Sequence, residues 1–423
     1  MNLLKIKGVK SNALNAGIKN AQNSGTDLDK NSGIDLGINS DTNSKPDDTK
    51  KLDLSVILLA ENTTTAAVFT QNIFCAAPVL VAKNHLQNDI RALLINTGNA
   101  NAGTGLASGT VGLENAFETC KMVADELGIE PSEVLPFSTG VIGKPLPMAC
   151  FEDNIKQLAA GISVDNLPQV AAAILTTDLK QKTANSQFEI NGKTVSITGI
   201  AKGSGMIRPD MATMLSFIFT DISAKKSELQ NCLNIAVNQS FNRITVDGDT
   251  STNDACTLSA TGVLEVRLAD CLDEFQSALN AVTKSLAQQI IKDGEGATKF
   301  VEVRVAGKSS ADCLEVAYTV AHSPLVKTAI FAADANWGRI LAAVGRANIS
   351  DLKVADVDIY LGAVCLIKNG ELNQNYTEKQ GAEEMAKSEI LIDIKIGKNT
   401  TCESVWTTDL SFDYIKINTD YRT

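Results

Sequence analysis

The stretch Lys202 to Asp221, KGSGMIRPDMATMLSFIFTD, sets a glycine-rich turn beside a hydroxyl group. Gly203, Ser204 and Gly205 allow close backbone approach and unusual dihedrals. Pro209 fixes its own φ and biases Arg208 toward extended geometry. Thr213 follows the small Ala212 and precedes a hydrophobic run that predicts a buried strand through Thr220. A threonine hydroxyl is a weak nucleophile without a base beside it. Cutting the chain between Ala212 and Thr213 would supply one. The freed α-amine has a pKa of about 7.7–8.0 and can take the hydroxyl proton. Without the cut, Thr213 is an ordinary threonine ahead of a strand.

Chemistry of this kind needs donors for a developing oxyanion, and one good donor is worth roughly 3–4 kcal/mol of barrier. Thr139-Gly140, in the loop Pro136-Phe137-Ser138-Thr139-Gly140, pairs a hydroxyl with a glycine N–H. Lys202 supplies a point positive charge suited to a carboxylate. Glu295, between Gly294 and Gly296, offers negative charge to an amine. Asp247, Asp249, Asn253 and Asp254 crowd one segment without the 12-residue calcium-loop pattern, and read as a hydrogen-bonded turn near the site. His322-Ser323 lacks the G-x-S-x-G elbow of a serine hydrolase.

These groups must be held by a mixed set of helices and strands. Segments 52–59, 65–70 and 91–96 predict strands, and the loop Thr97 to Gly105 leads into a helix from Thr110 to Leu127, where Gly128 stops it. Ser227 to Phe241 predicts a helix, Thr257 to Val263 the start of another, and Leu268 to Lys292 a long amphipathic one with Phe275, Leu279, Val282, Leu286 and Ile290 in one stripe. Strands follow at 299–305 and 354–359. Residues 19–50, rich in Asn, Ser, Asp, Gly and Thr, predict a flexible insertion. The pattern is α+β, not a regular βαβ series, and no Rossmann or Walker loop is present.

The chain of 423 residues exceeds one ordinary domain, so two large halves are expected. Aromatics make up only 5%, which predicts an aliphatic, alanine-rich core. A net charge of −11 argues against nucleic acid or an anionic membrane as partner. No apolar run reaches the ~18 residues of a spanning helix, and the N-terminus lacks signal-peptide character, so a cytoplasmic location is expected. The nine cysteines, with no C-x-x-C, read as reduced and mostly buried thiols. Two histidines are too few for a histidine-based metal site, and no metal is expected.

KGSGMIRPDMATML resembles the signature of the glutamate N-acetyltransferase / ornithine acetyltransferase family of arginine biosynthesis. The resemblance extends through NTGNANA (96–102), STGVIG (138–143), TTD (176–178), SFNRITVDGD (240–249), DGEGATK (293–299), DANWGRI (334–340) and the terminal INTDYRT (417–423). It implies stacked β-sheets flanked by helices in an N-terminal-nucleophile-like outline, self-cleaved into an α chain, 1–212, and a β chain, 213–423. It implies Thr213 as nucleophile after autocleavage at Ala212/Thr213, and Thr139 and Gly140 as the oxyanion hole. Thr176, Lys202, Thr213, Glu295, Asn418 and Thr423 are the implied substrate contacts, with Thr177 as the alternative to Thr176. Asp334, Asn336, Trp337 and Arg339 shape either the pocket or the interface between halves. The implied reaction is ping-pong acetyl transfer from N2-acetyl-L-ornithine to L-glutamate, with no cofactor, in an α2β2 assembly. Acetyl-CoA as a second donor is left open. The alternative is a self-processing threonine amidase or aminopeptidase that uses water as acceptor.

Overall fold

A computed structural model describes residues 3–23, 51–104, 111–208, 214–350 and 352–420. Two sheets stack face to face. The first has the strands Val9–Leu14, Leu54–Leu59, Ala92–Asn99 and Val134–Val141 in that order. The second has Thr64–Phe69, Ala255–Ala260, Leu215–Thr220, Lys193–Lys202 and Lys182–Ile190. Ile57, Leu93, Ile95 and Phe137 of the first meet Ile200, Leu215, Phe217 and Phe219 of the second in one core. Phe137 and Phe217 cross edge to face at 5.0 Å between ring centres.

Helices cover the outer faces. Val111–Leu127 and Ile155–Ala160 pack on the first sheet through Cys120, Val123 and Leu158. Lys226–Asn238 and Leu272–Lys292 pack on the second. The stripe Phe275, Leu279, Val282, Leu286 and Ile290 faces inward as its spacing predicts, and each of these side chains contributes roughly 1.5–3 kcal/mol by burial. The stacked sheets and flanking helices are the predicted α+β architecture. A third sheet of six strands, with Phe300–Gly307, Glu389–Ile396 and Thr401–Thr408 among them, carries its own helices and core.

The second sheet draws strands from both sides of residues 212/213. Lys193–Lys202 and Leu215–Thr220 pair antiparallel, with Lys202 opposite Leu215. The chain before and after this boundary therefore shares one hydrogen-bonded ladder.

Three expectations need correction. Thr257 does not start a helix: Ala255–Ala260 is a strand between two others, buried throughout, so it lacks the alternation that marks a half-exposed strand. Thr139-Gly140 is not in a loop but on the strand Val134–Val141, parallel to Ala92–Asn99. The expected flexible insertion begins too early, because Ile18–Asn23 is helical. There the Asp53 carboxylate accepts the N–H groups of Ala16 (2.6 Å) and Lys19 (3.0 Å) and satisfies the helix start. Residues 24–50 lie outside the described residues.

Candidate active site

Thr139, Gly140, Thr176, Thr177, Lys202, Glu295 and Asn418 line one cleft, together with Ser204, Gly205, Met206, Asp247 and Tyr414. Its cavity volume is about 170 Å³. That is below the roughly 300–1,000 Å³ of pockets for drug-sized ligands, and suits a molecule of amino-acid size. Ala212, Thr213 and Thr423 lie outside the described residues.

The cleft opens where the strand ends of the stacked sheets converge. Gly140 has φ +132°, and a Cβ there would sit 2.3 Å from the Gly98 carbonyl carbon on the neighbouring strand. Only glycine fits this approach. Lys202, the last residue of its strand, is buried and donates from Nζ to Thr139 Oγ1 at 3.1 Å. Because Thr139 Oγ1 accepts there, its own proton is left to donate elsewhere. Burial pushes the Lys202 ammonium below its ordinary value, while Asp178, Asp254 and Glu295 pull it back up.

Beneath Lys202 lies a buried charge cluster. Lys182 Nζ donates to Asp178 and, at 2.5 Å, to Asp293. Asp178 also accepts the N–H groups of Gly203 (2.7 Å), just past the strand Lys193–Lys202, and Thr176 (3.1 Å), just past the helix Leu167–Ala173. Burial alone would raise its carboxyl, but Lys182 and Lys202 together hold it below the ordinary value. Asp293 accepts from Leu179 N and Lys180 N, each at 3.0 Å.

Two residues further on, Glu295 receives the Thr177 hydroxyl at 2.7 Å on one oxygen and the Asn418 amide at 2.9 Å on the other. A carboxylate has about four acceptor sites, so Glu295 keeps capacity toward the cleft. Thr177 Oγ1 also meets Ser204 Oγ at 2.6 Å. Thr176 and Thr177 thus both line the cleft, with Thr177 on Glu295 and Thr176 on Asp178. Asp247 accepts from Met206 N, Ile207 N and the Tyr414 hydroxyl. Its carboxyl is raised by burial, against these donors.

Other groups singled out by sequence lie elsewhere. Asn336 accepts from Arg339 N and caps the helix Trp337–Gly345, and Arg339 donates to the Leu325 carbonyl. None of Asp334, Asn336, Trp337 and Arg339 lines the cleft. Ser323 caps the helix Pro324–Phe331. His322 Nε2 lies 3.0 Å from Thr245 Oγ1, and burial pushes the imidazole down to about 4. Cys120, Cys232, Cys256, Cys271 and Cys313 are buried. Sequence reasoning missed Lys182, Asp293, Ser204 and Tyr414 as parts of the site. Asp178 and Asp293 fall within the motifs TTD and DGEGATK, but Lys182 falls in neither, and its spacing of four residues from Asp178 does not mark it as buried.

The model of the ArgJ family matches residues 38–423. The arginine biosynthesis bifunctional protein ArgJ of Pseudomonas syringae pv. tomato is 50% identical over 377 residues, 88% of this chain and 92% of its own. That of Methylococcus capsulatus is 48% identical over 376 residues, 88% of this chain and 91% of its own. Among solved structures, ArgJ from Bacillus halodurans is 38% identical and covers 49% of this chain and 100% of its own, with a TM-score of 0.47.

Proposed function

The chain belongs to the ArgJ family, and on that premise we propose that it carries an acetyl group from N2-acetyl-L-ornithine to L-glutamate in arginine biosynthesis. In this reading the chain cuts itself between Ala212 and Thr213. The Thr213 hydroxyl, with its own α-amine as base, attacks the acetyl carbonyl. The amide C–N bond breaks as the leaving amine takes a proton, and ornithine departs. The glutamate amine then attacks the acetyl ester, and Thr213 regains its hydroxyl. Thr139 and Gly140 donate to the oxyanion in both halves, Glu295 faces the substrate amine, and Lys202 keeps the Thr139 proton aimed at the cleft. Thr176 or Thr177, Asn418 and Thr423 complete the substrate contacts.

The observation that carries this reading is the meeting of Lys202 with Thr139 at 3.1 Å in the cleft that also holds Glu295 and Asn418. The relatives' name, bifunctional, favours acetyl-CoA as a second acetyl donor. No helix among the described residues is long and apolar enough to cross a membrane, which fits a cytoplasmic enzyme. Exposed Leu80, Val111 and Phe117 on neighbouring helices fit burial in an α2β2 assembly.

The test is ornithine release from acetylornithine with and without glutamate. Without glutamate, release should stop at one ornithine per active site; continued release should require glutamate, with N-acetylglutamate formed in step. Ornithine and acetate released in water alone would replace the transferase with an amidase.

Gly205→Ala probes Glu295 gently. The new Cβ would fall 2.3 Å from a Glu295 carboxylate oxygen, so the flexible side chain must swing away from Thr177 and Asn418. We expect KM for acetylornithine to rise about ten-fold, the scale of one lost charge-assisted hydrogen bond. The thermal midpoint should hardly move, since the clash is with a side-chain end.

A further inference from the structure

The loop 247–254 touches the chain on both sides of the Ala212/Thr213 boundary. Asp247 accepts Met206 N–H at 2.6 Å on one oxygen and Ile207 N–H at 3.0 Å on the other. Seven residues along the same loop, Asp254 accepts Met214 N–H at 2.7 Å. Between them, Asn253 donates to the carbonyls of Ala100 (2.7 Å) and Ser138 (2.9 Å), next to Thr139. Asp247 also receives the Tyr414 hydroxyl at 3.2 Å, from the helix that carries Asn418.

The grip on Met206 opposes a local preference. Met206 has φ +56°, a left-handed conformation that non-glycine residues adopt at a cost. Two adjacent N–H groups bound by one carboxylate hold it there. The backbone is thereby fixed at Ile207 and again at Met214. Fixing both ends of so short a segment restricts the conformations from which a hydroxyl can reach the preceding carbonyl.

We propose that the loop 247–254 is a cradle for self-cleavage, in which Asp247 and Asp254 are positioning residues that hold the backbone on either side of the cut. Through Tyr414, Asp247 also sets the helix that brings Asn418 to Glu295. This inference rests on the self-cleaving reading above. In the step it assists, Thr213 Oγ bonds to the Ala212 carbonyl carbon, the peptide C–N bond breaks, and the hydroxyl proton ends on the new α-amine. Water then hydrolyses the ester to the Ala212 carboxylate and the Thr213 hydroxyl. Asp247 and Asp254 act through the backbone N–H groups of Met206, Ile207 and Met214 that they hold.

The experiment follows cutting of the full chain by intact mass over time, then kcat and KM for acetylornithine on the cut protein. Asp247→Asn keeps one acceptor oxygen where two are used, and should cut about ten-fold more slowly or worse. Asp247→Glu, which keeps both oxygens, should recover part of the rate. Tyr414→Phe should raise KM and slow cutting less than Asp247→Asn does. Asp254→Ala removes the acceptor of Met214 N–H and should also slow cutting, which gives a second reading should Asp247→Asn not fold. A parent that cuts, with Asp247→Asn and Asp254→Ala cutting at the same rate as the parent, overturns the cradle alone. Equal slowing by Asp247→Asn and Tyr414→Phe also overturns it, since general loosening would then suffice. A parent that stays whole overturns the self-cleaving reading and the cradle with it.

Discussion

Thr213→Ala should leave one uncut chain of 44.9 kDa and no measurable acetyl transfer, while the parent yields two pieces that meet at Ala212/Thr213. Alanine lacks both the γ-oxygen and the γ-methyl, and that oxygen is the side-chain atom that attacks. Both stages fail for the same reason: no oxygen forms the ester with Ala212, and none forms it with the acetyl group. The expected loss of transfer is on the order of 10⁶-fold, the scale of removing a hydrolase nucleophile. Thr213→Ser keeps the hydroxyl and should still cut. The parent's pieces should separate only in denaturant. Ile197–Lys202 pairs with Leu215–Thr220 residue for residue, and Leu215–Thr220 is buried against the first sheet, so a cut in the chain between them should leave the ladder in place. An uncut parent, or transfer that survives in Thr213→Ala, would remove this mechanism.

How much of this was legible in the sequence depends on the range of each interaction. The helix Leu272–Lys292 was legible because its apolar stripe repeats at helical spacing and one face meets a sheet. The strand Ala255–Ala260 was not, since it is covered on both faces and Thr257 and Ser259 sit in the core beside Leu258. Thr139-Gly140 reads as a turn because Ser, Thr and Gly favour turns. The structure keeps it in a strand because Gly140 can approach Gly98 where any side chain would collide. The cleft residues Thr139, Lys202, Glu295 and Asn418 were found through their motifs. Their supports were not. Lys182 and Asp293 are 111 positions apart, and nothing local tells a buried lysine from a solvated one.

That hidden support carries the second large effect. Lys182→Met should destabilise the fold by about 3–5 kcal/mol, the usual cost of removing one partner from a buried ion pair. Folded domains have only about 5–15 kcal/mol to lose. The Lys182 side chain is 1% exposed, that of Asp178 0% and that of Asp293 5%, so solvent cannot replace the ammonium. Its loss leaves two buried carboxylates without their shared ammonium, with Lys202 still acting on Asp178. Adding Asp178→Asn to Lys182→Met removes one of those charges and should recover part of the loss, a non-additivity expected of residues in contact.

The pH dependence carries the same sign. The folded-state pKa of Asp178 lies below its unfolded value of 3.8. Its contribution is therefore present above that value and lost as pH falls through the folded pKa. Without Lys182, only Lys202 and the Gly203 N–H oppose the upward push of burial on the carboxyl, so acid unfolding should begin nearer neutrality. The gap between parent and variant should be widest near neutral pH and close in acid, where the Asp178 carboxyl is protonated. Urea titrations at neutral and acidic pH measure this directly. A loss below about 1 kcal/mol at neutral pH, the range of exposed pairs, would mean that water reaches the cluster. Gly203 and Thr176 would then owe their positions to something other than a desolvated Asp178.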